Sequence, residues 1–171
     1  MQVSTVIIQG SSRSAGNTHK VVECISNLFP ANIIDLNDYD ISYFDYHHAN
    51  KNDDFIPLMK SIVDQYDTII FASPVYWYSM SAQMKTFFDR ISDLLKIEKP
   101  LGRLLRGKRM ATISCSGHDD VPDAFYEPFR LSADYLGMTY LGEMHGYVEN
   151  DEIPIEVQTR LANFASKISK K

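Results

Sequence analysis

Three short segments of this sequence carry donors and side chains suited to holding a ligand. The first is Gly10-Ser11-Ser12-Arg13-Ser14-Ala15-Gly16-Asn17-Thr18. It follows an apolar run and precedes an amphipathic stretch, so it joins a strand to a helix. A helix beginning there exposes unpaired N–H groups and a partial positive charge. Ser11, Ser12, Ser14 and Thr18 add hydroxyls, Asn17 adds an amide, and Arg13 offers a planar, permanently charged fork. Together they make an oxyanion cradle of the size of a phosphoryl group. A solvated, capped turn uses the same residue types, and this loop alone does not separate the two. No Gly-Lys-Ser/Thr follows and the spacing is not G-x-G-x-x-G, so the Walker and dinucleotide fingerprints are absent.

The second segment, Ser73-Pro74-Val75-Tyr76-Trp77-Tyr78-Ser79-Met80-Ser81, places three consecutive aromatics between a strand and a helix. They cannot all enter one core layer, so some are exposed or cover a flat ligand. An isoalloxazine ring is such a ligand, apolar on its faces and hydrogen-bonding on its edges. Packing over the sheet end, or a subunit interface, also employs Trp and Tyr. The third segment is Ser114-Cys115-Ser116-Gly117-His118-Asp119-Asp120. Its small residues let backbone N–H groups approach a ligand edge, and His118 can donate to it, although a lone loop histidine is more often simply solvated.

Other reactive residue types lead nowhere specific. His47 and His48 lie near Asp45 and Asp53, but adjacent histidines lack helical ligand spacing and read as a solvated pair, so no metal is expected. Cys24 and Cys115 have no C-x-x-C spacing and read as small buried hydrophobes. The basic run Lys96, Lys99, Arg103, Arg106, Lys108 and Arg109 is able to meet a nucleotide 2′-phosphate. A solvated connection, or an oligomer contact with the acidic Asp35–Asp54 region, is the commoner explanation.

The elements that must position these loops follow from periodicity. Val3–Ile8, Asn32–Leu36, Thr68–Ala72 and Arg109–Cys115 read as strands, and Met138–Leu141, resuming at His145–Val148, as a fifth. The third is expected to stop at Ser73-Pro74. Helices are expected to bury Val21, Val22, Ile25, Leu28 and Phe29; Phe55, Leu58, Met59, Ile62, Val63 and Tyr66; and Met84, Phe87, Phe88, Ile91, Leu94 and Leu95, the last capped by Ser79 or Ser81. A fourth spans about Asp123–Leu136, broken or started at Pro128 and ended by Gly137, and a fifth follows Pro154. Alternating strands and helices imply an α/β fold with a parallel sheet and helices on both faces. Ligands in such sheets bind beyond the carboxyl ends of the strands, where strand order reverses. The three loops above lie at those ends.

At 171 residues with 44% hydrophobic and 23% charged residues, the chain fits one globular domain over 1–171. A net charge of −5 argues against nucleic-acid binding and against anionic membranes. No apolar run reaches the roughly 20 residues of a membrane span. The N-terminus lacks a basic n-region, so no signal peptide is expected and a cytoplasmic location is the default.

Gly10–Thr18 and the run Ser73-Pro-Val-Tyr-Trp-Tyr-Ser-Met-Ser-Ala-Gln-Met-Lys-Thr-Phe-Phe-Asp-Arg90 resemble the NAD(P)H-dependent FMN reductases of the flavodoxin-like group. Gly107-Lys108, the small-residue loop after strand four and Leu136-Gly137-Met138 extend the resemblance along nearly the whole chain. The resemblance implies a three-layer sandwich with a five-stranded sheet of order 2-1-3-4-5. It also implies FMN as cofactor and NAD(P)H as co-substrate. Ser11, Ser12, Arg13, Ser14, Asn17 and Thr18 would hold the phosphate. Pro74, Val75, Tyr76 and Trp77 would line the ring, and Ser114, Gly117 and His118 would meet its other side or edge. Iron–sulfur members of the wider group carry cysteines after strand two. Ile41–Tyr46 has none, so a cluster held by that motif is excluded.

On this reading the flavin performs the hydride chemistry and the protein supplies position and electrostatics. No side-chain acid, base or nucleophile is required, and backbone N–H groups near Tyr76–Trp77 and Ser116–Gly117 would stabilise charge on the reduced ring. The acceptor would be a quinone, azo compound, nitroarene or free flavin, taken on the same face as the nicotinamide, and a homodimer or homotetramer is implied. Two alternatives stand beside it. A flavodoxin-type electron carrier would lack NAD(P)H activity, although Arg13 and the mild charge are unlike that group's acidic carriers. A regulatory module without cofactor would leave the complete phosphate loop and Tyr-Trp-Tyr segment unexplained.

Overall fold

The computed structural model describes residues 4–169; Val3, expected in the first strand, lies outside them. The strands are β1 (Thr5–Gln9), β2 (Asn32–Asp35), β3 (Thr68–Pro74), β4 (Arg109–Ser116) and β5 (Thr139–Tyr147). The helices are α1 (Asn17–Ser26), α2 (Phe55–Gln65), α3 (Ala82–Lys96), α4 (Lys99–Arg103), α5 (Glu127–Leu136) and α6 (Ile155–Ser169). All strand pairs are parallel and the order is β2-β1-β3-β4-β5, as the resemblance implies.

Every residue of β1 and β3 is buried, which is why both read as continuous apolar runs. Alternate residues enter opposite layers. Ile7 and Ile70 pack with Val21, Val22, Val157 and Leu161 of α1 and α6. Val6, Ile8, Ile69 and Phe71 pack with Phe55, Ile62, Met84 and Phe129 of α2, α3 and α5. The chain leaves β1 through α1 on one face and returns from β2 through α2 on the other. The strand order therefore reverses between β1 and β3, and a crevice opens at their carboxyl ends.

The structure departs from the periodicity in instructive places. β3 continues through Pro74, which pairs with Cys115. The Val75 N–H donates to the Cys115 carbonyl at 2.8 Å. The ring nitrogen of Pro74 must then face β1, whose pairing with β3 has already ended at Gln9–Ala72, so no ladder donor is lost. β5 is continuous; Gly142, with φ of +119°, and a register shift at Met110/Thr112 absorb the apparent interruption. α1 ends at Ser26, leaving Leu28 past its end and 48% exposed instead of on the buried face. Pro128 occupies the first turn of α5, preceded by a separate 3₁₀ turn at Asp123–Phe125. Part of the basic run forms α4, which the periodicity does not show. Gly102 allows it to meet α3, since a Cβ there would lie 2.4 Å from the Leu94 carbonyl oxygen. Of the two candidate caps for α3, Ser81 accepts the Met84 N–H at 3.1 Å.

Candidate cofactor site

In the β1–α1 loop four carbonyls, those of Gly10, Ser11, Arg13 and Ser14, are engaged by donors of the protein. The Gly10 carbonyl accepts from Ser81 Oγ (2.6 Å) and that of Ser11 from Asn37 Nδ2 (2.7 Å). The Arg13 carbonyl accepts the Gly16 N–H (3.2 Å) and that of Ser14 accepts from Gln9 Nε2 (3.1 Å). Turning these acceptors inward removes the negative ends of the peptide dipoles from the loop mouth. α1 begins beyond them without a side-chain cap, because its cap residue is Gly16. A Cβ at Gly16 would sit 3.2 Å from the Arg13 Cβ, so a larger residue would require Arg13 to shift by a few tenths of an ångström. Ser12, Arg13 and Ser14 are exposed at the mouth, Asn17 is half-buried, and Ser11 and Thr18 are buried behind it. No hydrogen bond or ion pair of the Arg13 guanidinium occurs among the described residues. Inward carbonyls, an uncapped helix terminus and an unpartnered cation together fit a phosphoryl group.

The scaffold of this loop was not legible in the sequence. Asn37, just past β2, also donates to Ser14 Oγ and Asp35 Oδ1, both at 3.0 Å. Gln9 is fully buried; its Nε2 also donates to Asp35 Oδ2 (3.1 Å) and its Oε1 meets His19 Nδ1 (3.0 Å). Gln9 enters the loop's support directly from the end of β1, whereas Asn37, and Asp35 as partner of Gln9, reach it only through the pairing of β1 with β2. Ser81 is a third supporting residue. It caps α3, bonds the first loop through Gly10, and its N–H donates to the buried Ser73 Oγ (2.9 Å). Replacing Ser81 with Ala removes a cap and leaves the Gly10 carbonyl without its hydroxyl donor. A loss of about 1–3 kcal/mol in urea unfolding is expected.

The β3–α3 loop is a two-residue hairpin. The Tyr76 N–H donates to the Ser79 carbonyl at 2.9 Å, and the Ser79 N–H returns to the Tyr76 carbonyl at 3.0 Å. Trp77 and Tyr78 have φ of 49° and 64°, the signs of a type I′ turn, which normally takes Asn-Gly. Each bulky residue in this region costs on the order of 1 kcal/mol. Despite this, Tyr76, Trp77 and Tyr78 are 47%, 94% and 72% exposed, so they contribute little to the core in return. The Tyr76 hydroxyl lies 3.5 Å from Ser12 Oγ, bringing the first two loops together. Val75 is half-buried and Pro74 buried beneath the hairpin. Converting Trp77-Tyr78 to Asn-Gly is expected to stabilise the ligand-free protein by about 1–2 kcal/mol in chemical denaturation.

The β4–α5 loop lies beside Val75. Ser114 is buried, and its hydroxyl is engaged by Tyr126 Oη at 2.6 Å and His145 Nδ1 at 2.8 Å. Its side chain therefore belongs to an internal network, so Ser114 does not present its hydroxyl to the crevice. Gly117 and His118 are exposed. Ser116 Oγ accepts the His118 N–H (3.2 Å) and donates to the His118 carbonyl (2.6 Å). Burial pushes the Cys115 thiol up to about 11, against a Thr18 hydrogen bond that lowers it, and also raises that of Cys24. Neither thiol is activated as a nucleophile.

Remote from the crevice, Arg90 is 1% exposed and spans α3 and the loop after β2. It donates from Nε to Asp93 (2.7 Å), from Nη2 to Asp53 (3.0 Å) and the Asn50 carbonyl (3.1 Å), and from Nη1 to Asp53 and the Ser42 carbonyl (2.9 Å). His48 Nδ1 reaches Asp93 at 2.7 Å. Of the expected solvated pair, His48 is thus built into the structure. Among the described residues no three His, Cys, Asp or Glu side chains group as a metal site.

The parallel sheet, its order and the loops at its switch point define the flavodoxin-like class of α/β proteins. The chain belongs to the NADPH-dependent FMN reductase family, whose model matches residues 3–152. A relative from Bacillus subtilis (strain 168), "Putative NAD(P)H-dependent FMN-containing oxidoreductase YwqN", is 36% identical over 96 residues, covering 53% of this chain and 52% of its own. An NADPH azoreductase from Bacillus sp. (strain OY1-2) is 25% identical over 99 residues, covering 58% and 56%. The chain spans about half the length of these curated relatives. Among solved structures, the Trp repressor binding protein from Bacillus subtilis superposes with a TM-score of 0.75 at 23% identity, covering 98% of this chain and 99% of the other. The general stress protein 14 from Treponema denticola, in complex with FMN, gives 0.61 at 15% identity, covering 95% and 94%. These structural likenesses concern the fold. Among the described residues no helix is long and apolar enough to cross a membrane.

Proposed function

We propose that the chain is a single FMN-binding domain that uses NAD(P)H to reduce a quinone, azo, nitro or flavin acceptor. The observation that carries this is the β1–α1 loop: carbonyls turned inward, an uncapped helix terminus and the free Arg13 guanidinium, all beside an exposed aromatic hairpin. Membership of the FMN reductase family, and relatives named as azo and quinone reductases, support the reaction class. Bound FMN would supply hydride transfer between nucleotide and acceptor. Ser12, Arg13, Ser14, Asn17 and the N–H groups opening α1 bind and orient the phosphate end. Pro74, Val75, Tyr76 and Trp77 flank the ring, and the Gly117 and His118 backbone borders it. The strain held in Trp77 and Tyr78 keeps two aromatic side chains outside the core, where they exclude water from a flat ligand. The reaction as proposed requires no side-chain nucleophile.

FMN added to cofactor-free protein is expected to quench Trp77, the only tryptophan, and to co-elute in gel filtration. Absence of both would end the proposal. Steady-state kinetics with NADPH and a quinone are expected to give parallel double-reciprocal lines, since nucleotide and acceptor take one face in turn; intersecting lines would refute the shared face. A protein that binds FMN but turns over neither NADH nor NADPH would be an electron carrier. The same preparations examined by light scattering test the proposed homodimer or homotetramer.

A further inference from the structure

The loop that borders the proposed ring is held by a residue outside all three loops. His145, on β5, is half-buried beneath Ser116–His118. Its Nε2 lies 2.8 Å from the His118 carbonyl oxygen and 3.3 Å from Ser116 Oγ. A carbonyl only accepts, so Nε2 carries the proton. In the neutral imidazole Nδ1 is then the acceptor for the Ser114 hydroxyl, 2.8 Å away, and Ser114, its one proton so used, accepts from Tyr126 at 2.6 Å. Burial pushes the Tyr126 phenol up to about 12, so it stays a donor at neutral pH. The chain Tyr126 to Ser114 to His145 to His118 has one polarity, and it fixes both the tautomer and the plane of the imidazole.

The loop itself has little else to hold it. A Cβ at Gly117 would meet nothing within 4 Å, so the tip is not packed. Apart from its contact with His145, the Ser116 hydroxyl bonds within the loop, and the next anchor, Asp119 to Arg160 at 2.7 Å, is an exposed ion pair. The Gly117 N–H makes no hydrogen bond among the described residues and remains available to a ligand edge. We propose that His145 is a positioning residue: through the His118 carbonyl it locks the Ser116–His118 turn so that the Gly117 N–H is presented to the polar edge of the flavin. This rests on the flavin reading above. Because charge on that edge rises on reduction, a fixed donor there favours the reduced cofactor over the oxidised one.

The test has two arms. In FMN-free protein, amide hydrogen exchange at His118 is expected to speed up about tenfold in His145→Phe, and to stay within roughly threefold of wild type in His145→Gln, which retains a donor. In loaded protein, the ratio of the Kd for reduced FMN to that for oxidised FMN is expected to rise about fivefold in His145→Phe. Should His145→Phe not fold, Ser114→Ala, which removes the partner of Nδ1, is read in the same two arms. Unchanged exchange would overturn the clamp. Faster exchange with equal weakening of both redox forms would overturn the role at the ring edge, since a merely structural residue gives that result. Wild-type protein that binds no FMN would overturn the flavin reading and the role built on it, while the exchange arm would still report on the clamp itself.

Discussion

Replacing Arg13 with Glu is expected to raise the Kd for FMN by about a hundredfold or more, with little change in folding stability. The guanidinium is exposed and makes no ion pair among the described residues, so nothing in the fold depends on it. A charge-assisted hydrogen bond to phosphate is worth roughly 1.5–3 kcal/mol. Reversing the charge adds repulsion at a loop already arranged for an anion, and each 1.4 kcal/mol is a factor of about ten in Kd. Riboflavin provides the control, because it carries the ring without the phosphate. Its affinity is expected to move less than about threefold in Arg13→Glu, measured by fluorescence titration. Equal losses for FMN and riboflavin would place Arg13 at the ring, and no loss for either would remove it from the site.

The largest effect on stability is expected at Arg90. Arg90→Met keeps much of the volume but strips the charge from between Asp53 and Asp93, whose side chains are 9% and 3% exposed. Breaking a buried pair from one side leaves carboxylates uncompensated and costs about 3–5 kcal/mol. The variant also releases the Ser42 and Asn50 carbonyls, so the loop from 41 to 54 is expected to lose protease resistance first. The pH dependence has a definite sign. Burial raises the pKa of Asp53, but hydrogen bonds from Arg90 and from the Ser42 and Phe55 N–H groups outweigh it and hold the carboxyl below its ordinary value of 3.8. A carboxyl depressed in the folded state contributes stability that is present above 3.8 and lost as pH falls through the lower folded value. Without Arg90 two of the lowering contributions are gone, so the folded-state pKa of Asp53 rises and less stability is lost on acidification. The deficit of Arg90→Met is therefore expected to be smaller at pH 3 than at pH 7 in guanidinium denaturation; a deficit that does not shrink would contradict the pairing.

The local grammar of the chain was legible because each element states its environment in its own residues. Buried parallel strands must be apolar on both faces, so Val6–Ile8 and Ile69–Ala72 announce themselves. Helices facing a sheet must repeat every three to four residues, as Val21–Ile25 and Phe55–Val63 do. The anion loop and the aromatic hairpin are contiguous segments, so their chemistry can be read without knowing what lies beside them. The short helix α4 escaped because Lys99–Arg103 has only one buried residue, Gly102, and so no apolar stripe. Pro74 misled for a related reason: whether a missing N–H matters depends on which neighbouring strand it would have faced.

By itself, then, the order of residues determined the alternation of strands and helices, the location of three candidate binding loops and the charge and flatness of what they suit. Only the folded chain decided how those loops are held. Gln9, Asn37, Ser81 and His145 are ordinary polar residues in sequence, and the loop carbonyls they hold lie between 5 and 71 positions away. Hydrogen bonds are directional and short, and the backbone brings such distant groups within reach only after β1 has paired with β2 and β3, and β4 with β5.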